Sequence, residues 1–381
     1  MDYYVKADCF LLEDGEKRDS YLHITNDRFI GFTEIIPADA EVVDWSGYTV
    51  APGLFDTHIH GVQGYDIMDG SVEAVKQISA SLLQIGVTRF LPTTLTSSKE
   101  DLKQAIDAIR SAVADGLEGA QSEGVFLEGP YFTEKHKGAQ NPGYFRDPSI
   151  KEFQEWQQLA DGTIVKIALA PEREGAFEFI REVSADGVLA SIAHTDADYA
   201  CCHEAVDAGA RNYVHLFNGM KGIHHREPGV AGAALSDERV FAELICDGHH
   251  VHPTMARFAY RVKRDNLVMI TDCMRAGLMP DGNYHLGEFP VVVDGGIALT
   301  ESGSLAGSTL RLIDGVYNLQ KWTDDPLYRI WHRASLSPAA SLGKDKELGS
   351  IAPGKVADYV VVNQQLEIQA VVVAGKEKFR K

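Results

Sequence analysis

The sequence has no apolar run long enough to span a bilayer, and its first residues, Met1-Asp-Tyr-Tyr-Val-Lys6, lack the charged-then-apolar pattern of a secretory leader. It is also poor in cysteine. Cys9, Cys201, Cys202, Cys246 and Cys273 are an odd number without a framework spacing. These features predict a cytoplasmic protein with reduced thiols, in which the adjacent pair Cys201-Cys202 is structural. Basic charge is short as well: 36 lysines and arginines against 55 aspartates and glutamates leave a net charge of −19. Such a surface argues against nucleic acid or membrane as a partner, while a small anionic substrate in a locally positive pocket stays open. There is no low-complexity tract and no solenoid repeat.

What is present suffices for one large domain plus a small one, since 381 residues bury a substantial core. The first 50 residues read as short strands broken by Glu13-Asp-Gly15, Asn26-Asp27 and Pro37-Ala-Asp39 turns. They are too few to fold alone. The far end offers two more strands, one after the turn at Ala352-Pro-Gly354 and one over 369–374. The expectation is a small β-sandwich domain built from both chain ends, residues 1–51 and 345–381, flanking a domain over 52–344.

Within that middle region strand-like and helix-like runs alternate. Strands are predicted over 49–56, 89–93, 124–127, 164–169, 188–193, 213–216, 241–246 and 266–271. Helices are predicted over 71–84, 99–114, 150–159, 177–183, 198–208 and 254–263. Thr195-Asp196 is read as the N-cap of the fifth helix and Gly209 as its stop. Repeated βα units with near-continuous apolar strands predict an α/β fold, a (β/α)8 TIM-type barrel, whose active site lies at the strand C-termini.

The residues just past those strands are chemically alike. The first strand runs into His58-Ile-His60; residues i and i+2 of a strand share a face, so the two imidazoles can converge on one ion. The third strand ends in Glu128-Gly-Pro, the fifth in His194, the sixth in His215 and the eighth in Asp272. Each alone has a bland explanation, such as a turn at Glu128 or a satisfied core histidine at His215. Together they place six metal-type side chains on one rim.

This set resembles the amidohydrolase superfamily. More narrowly, Leu127-Glu-Gly-Pro-Tyr-Phe132, Lys137-Gly-Ala-Gln-Asn-Pro142, His215-Leu-Phe-Asn-Gly-Met220, Arg226-Glu-Pro-Gly229 and Leu305-Ala-Gly-Ser-Thr-Leu310 resemble the N-acetylglucosamine-6-phosphate deacetylase family. The resemblance covers nearly the whole chain. It implies a principal metal site at Glu128, His194 and His215, a second at His58 and His60, and Glu128 between them. Asp272 is implied as general base and as a further metal ligand. The implied cofactor is two divalent ions per subunit, with Zn²⁺ favoured and Fe²⁺, Co²⁺ and Mn²⁺ meeting the same ligand chemistry. Many relatives bridge their metals with a carboxylated lysine instead. Lys166 sits mid-strand in Val-Lys-Ile-Ala-Leu and is read as structural.

Substrate contacts carried over from the resemblance are Ala139, Gln140, Asn218, Gly219, Arg226, Asp247, His250, Leu305, Ala306 and Gly307. Some members carry histidine where this chain has Gln140, which leaves the group that polarises the acetyl carbonyl open. His224, His225, His249 and His252 are read as exposed neighbours. The expected reaction is deacetylation of N-acetylglucosamine 6-phosphate in amino-sugar catabolism by a homodimer in which Arg226 acts in trans. The alternatives are the galactosamine epimer, an N-acyl-amino-acid or cyclic-amide hydrolase, and an inactive binding relative.

Overall fold

The computed structural model describes residues 1–381. Both chain ends enter one mixed sheet. Its longest strand, Val42–Pro52, pairs in parallel with Asp2–Leu11 on one side and antiparallel with Tyr359–Val362 on the other. Tyr21–Thr25 and Arg28–Thr33 extend it one way, Ile368–Val373 and Lys376–Arg380 the other.

The two-residue period of a strand sorts its side chains between two cores. Tyr359 and Val361 join Tyr3, Val5, Leu22, Ile24 and Phe29 in the core of the sheet itself, whereas Val360 and Val362 pack into that of the barrel. The sheet curls back on itself: Ala357 N–H donates to Asp27 O, and Phe29 N–H to Lys355 O. One continuous sheet therefore supplies the two facing halves of the expected sandwich.

The barrel strands are Leu54–Ile59, Val87–Thr94, Val125–Tyr131, Ile164–Leu169, Leu189–Ile192, Asn212–Tyr213, Phe241–Ile245 and Leu267–Ile270. All are parallel, each pairing with the next. Closure comes from Asp272 N–H donating to His58 O and His60 N–H to Cys273 O, both at 2.9 Å. That seam also fixes three candidate ligands relative to one another.

Two local readings are corrected. The run over 49–56 is not one strand. It leaves the small sheet after Pro52 and enters the barrel at Leu54, breaking at Gly53, where a Cβ would lie 2.2 Å from Thr88 Oγ1. The fifth helix, Tyr199–Ala208, is capped by Asp198, whose side chain accepts from Cys201 N–H. Thr195 Oγ1 instead accepts from Ala197 N–H one turn earlier.

An insertion not foreseen follows the eighth strand. Gly282–Leu286, Phe289–Asp294 and Ile297–Thr300 form an antiparallel meander. Its inner residues Leu286, Val291, Val293 and Ala298 pack with Leu95, Met274 and Ala306, roofing one side of the barrel mouth. No helix is long and apolar enough to cross a membrane.

Candidate metal centre

At the C-terminal rim six side chains meet as two interlocking triads: His58, His60 and Asp272, and Glu128, His194 and His215. His58 Nε2 and His60 Nε2 lie 3.3 Å apart, and Asp272 Oδ1 is 3.4 and 3.2 Å from them. His194 Nε2 and His215 Nε2 are 3.2 Å apart, with Glu128 Oε1 at 3.5 and 3.2 Å. Glu128 belongs to both groups, because its Oε2 lies 3.3 Å from His60 Nε2.

The outward ring nitrogens explain why the inward ones converge. His60 Nδ1 faces Thr93 O at 3.2 Å, His194 Nδ1 faces His136 O at 2.9 Å, and His215 Nδ1 faces Asn218 O at 3.0 Å. His58 Nδ1 faces the carboxylate of Glu243 at 3.2 Å. All four acceptors lack a proton to give, so each Nδ1 carries the hydrogen and each Nε2 presents a lone pair. Four lone pairs and two carboxylates aimed at one another, nearly without solvent, repel unless a cation or protons lie between them. The donor set fits a divalent ion in each triad.

The backbone is held at some cost to achieve this. His194, His215 and Asp272 have φ of 43°, 33° and 50°, the left-handed region that non-glycine residues avoid. Each is pinned by neighbours: Thr133 N–H donates to His194 O, Leu216 N–H to Glu243 O, and Ser308 N–H to Asp272 O. Aiming a side chain from a strand end into the barrel axis is the evident reason for the turn.

Burial disfavours every charge here, and the ionisation shifts show what outweighs it. Desolvation pushes Glu128 up, but His58, His194, His215 and His60 hold it well below the usual carboxylate range. Asp272 is also desolvated, yet His58 and His60 hold it at about 2. Desolvation pushes His60 and His215 down, while Asp272 and Glu128 leave both above the ordinary imidazole value.

A raised histidine stabilises the fold fully below its unfolded pKa, and that stability is lost as pH rises through the folded pKa. The metal-free protein should therefore lose thermal stability as pH climbs above about 6.5. The depressed carboxylates change their contribution only below about pH 4 and leave this window alone. A bound ion displaces the histidine protons, so the loaded protein should not share the decline. Tm profiles of chelated and reloaded samples check this; superimposable declines would count against an ion in the site.

The cavity above the triads, about 210 Å³, is lined by Ala139, Gln140, Asn218, Gly219, His250, Leu305 and Gly307 among the expected contacts. Leu95, Leu286 and Ser304 line it too and were not foreseen. Gln140 Nε2 donates to Glu128 Oε2 at 2.7 Å, and its Oε1 accepts from Thr96 N–H. Asp247 does not reach the cavity. It bonds His250 Nδ1 at 2.6 Å and the His249 and His250 amides, so it orients His250. Ala306 is buried behind the lining, and Arg226 lies outside it, exposed beside His225. No arginine or lysine of the same chain lines this cavity.

A parallel barrel with two imidazole–carboxylate triads at its C-terminal mouth is the frame of a metal-dependent hydrolase. Residues 49–378 match the amidohydrolase family. The chain is 42% identical over 340 residues to the N-acetylglucosamine-6-phosphate deacetylase of Vibrio furnissii, covering 89% of this chain and 85% of that one. It is 39% identical over 376 residues to the N-acetylgalactosamine-6-phosphate deacetylase of Escherichia coli O157:H7, covering 99% of each. The structure of an Asp-to-Ala mutant of N-acetyl-D-glucosamine-6-phosphate deacetylase from Mycobacterium smegmatis, in complex with N-acetyl-D-glucosamine-6-phosphate, superposes with a TM-score of 0.92 at 32% identity over 99% of both chains. The chain belongs to the amidohydrolase family, and within it to the N-acetylglucosamine-6-phosphate deacetylases.

Proposed function

We propose that the chain hydrolyses the N-acetyl amide of N-acetylglucosamine 6-phosphate to glucosamine 6-phosphate and acetate. The observation that carries this is the Glu128-linked pair of triads at the floor of a cavity of about 210 Å³. Glu128, His194 and His215 would hold one ion, and His58 and His60 a second with Asp272 as a further ligand. Bound divalent metal lowers the pKa of water toward neutrality and polarises a carbonyl. Zn²⁺ suits this ligand set best, and Fe²⁺, Co²⁺ and Mn²⁺ satisfy it.

Asp272, whose Oδ1 lies 3.4 and 3.2 Å from the Nε2 atoms of His58 and His60, is the carboxylate placed to take the proton of the attacking water. It then returns that proton to the amine nitrogen as the C–N bond breaks, so acetic acid and the amine form and leave at neutral pH as acetate and the ammonium form. Gln140 spends one amide hydrogen on Glu128, which leaves the other to donate to the acetyl oxygen. His250, oriented by Asp247, and the Asn218-Gly219 turn line the sugar side.

The phosphate needs a cation, and the same-chain lining supplies only imidazoles. The reading is a homodimer in which Arg226 of each chain reaches the phosphate bound by the other. Two ions per chain predict that replacing both His58 and His60 lowers the metal content from two to one in elemental analysis. A saturated, active parent protein holding one ion would contradict that assignment.

The galactosamine epimer is the second reading, favoured by the end-to-end match to the Escherichia coli relative. Steady-state kcat/KM for both N-acetylhexosamine 6-phosphates, with the unphosphorylated sugars as controls, decides between them. The expected result is highest kcat/KM for the gluco substrate and a large loss without phosphate. Preference for the galacto epimer would reassign the substrate, and no turnover of either would end the reading.

A further inference from the structure

The four candidate imidazole ligands are not anchored alike. Three Nδ1 atoms bond backbone carbonyls, which are neutral: Thr93 O at a strand end, His136 O in a short helical turn and Asn218 O in a loop. Only His58 is held by a side chain, and that side chain is an anion, Glu243. Glu243 stands in the seventh barrel strand, inside the barrel below the rim. Its Oε2 serves His58; its Oε1 accepts from Asn212 Nδ2 at 2.9 Å and from Lys166 Nζ.

Lys166, from the fourth strand, also donates to Thr57 O at 3.3 Å and lies 3.8 Å from the centre of the Phe126 ring. Its ammonium is thereby held between Glu243, Thr57 O and the Phe126 ring. Both charged side chains are about 1% exposed. Such a buried pair is a poor way to gain stability, because apolar residues of similar volume commonly do as well or better.

We propose that the Lys166–Glu243 pair is a positioning device for His58 and sets the affinity of the second ion, the one held with His60. This rests on the two-ion reading above. Lys166 occupies one oxygen of Glu243 and balances its charge, which leaves the other oxygen to fix the His58 ring and its Nδ1–H tautomer. A carboxylate behind an imidazole makes its far nitrogen a stronger donor than a carbonyl does. The first ion, at Glu128, His194 and His215, has only carbonyl-backed histidines and should not sense the pair. A polar partner network deep in the barrel thus acts on one ion of two.

The test titrates chelator-stripped protein with Co²⁺, followed by visible absorption, and with Zn²⁺ against a chromophoric competitor. Wild type should take two ions. Glu243→Gln, which keeps the shape and loses the charge, should bind the first unchanged and the second about 10–100-fold more weakly. Lys166→Met alone leaves Glu243 buried without its counter-ion and is the variant most prone to misfold. The neutral double variant Lys166→Met/Glu243→Gln removes that problem; with a wild-type Tm it should still bind the second ion weakly. Unchanged second-ion affinity in folded Glu243→Gln, or its recovery in the double variant, would overturn the proposal. A wild type that takes only one ion would instead overturn the two-ion reading on which it rests.

Discussion

Asp272→Asn is expected to lower kcat by about 10²–10⁴-fold, with substrate affinity nearly unchanged. The size follows from the role. An amide in place of the carboxylate keeps the shape of the pocket and loses the acceptor for the proton of water. The local frame should survive, because Asp272 is tied through its backbone: its N–H bonds His58 O and its O accepts from Ser308 N–H. What changes is the charge facing His58 and His60 at 3.4 and 3.2 Å. Metal must therefore be saturating, so that a weakened second ion is not mistaken for lost proton transfer. Steady-state kinetics under those conditions, with metal content measured on the same sample, decide the matter. A variant that keeps near-parental kcat takes Asp272 out of the chemistry.

Those two strand-end features, a ligand-type side chain and an apolar run before it, are what made the rim readable. Spacing alone put His58, His60, Glu128, His194, His215 and Asp272 at the ends of barrel strands, and the structure brings all six within one cluster. The reading failed where local pattern carries no information about neighbours. Within the 49–56 run Val50 to Phe55 carries no polar side chain, so its periodicity does not show that Gly53 divides it between two sheets. The carbonyls that fix three histidines come from Thr93, His136 and Asn218, and any residue has a carbonyl.

Glu243 was open to inference and was missed. Val165-Lys166-Ile167 and Ala242-Glu243-Leu244 each carry one lone charge in an apolar barrel strand, of opposite sign. Two such charges in one barrel interior are affordable mainly as a pair. The roof over the mouth was legible in the same sense: Phe289-Pro-Val-Val-Val-Asp-Gly-Gly-Ile-Ala-Leu-Thr300 is two strand-like runs around a turn. The eightfold βα count left it without a place.

Arg226 tests how the phosphate of the proposed substrate is held. Its guanidinium is exposed beside His225, and no lysine or arginine of the same chain lines the cavity. If it meets the partner's phosphate, Arg226→Ala should lose a charge-assisted contact of about 1.5–3 kcal/mol, or roughly 10–150-fold in kcat/KM. That loss should be confined to phosphorylated substrate. A contact within one chain would give the same single-variant result, so a mixing experiment is needed. Arg226→Ala keeps a sound Asp272, and Asp272→Asn keeps a sound Arg226. In a mixed dimer the pocket of the first receives the arginine of the second, and one complete site is rebuilt. Activity should then rise above the sum of the two variants as subunits exchange, by up to the full activity of one site per mixed dimer. If exchange is demonstrated and activity stays at the sum, Arg226 acts within its own chain or takes no part in binding phosphate.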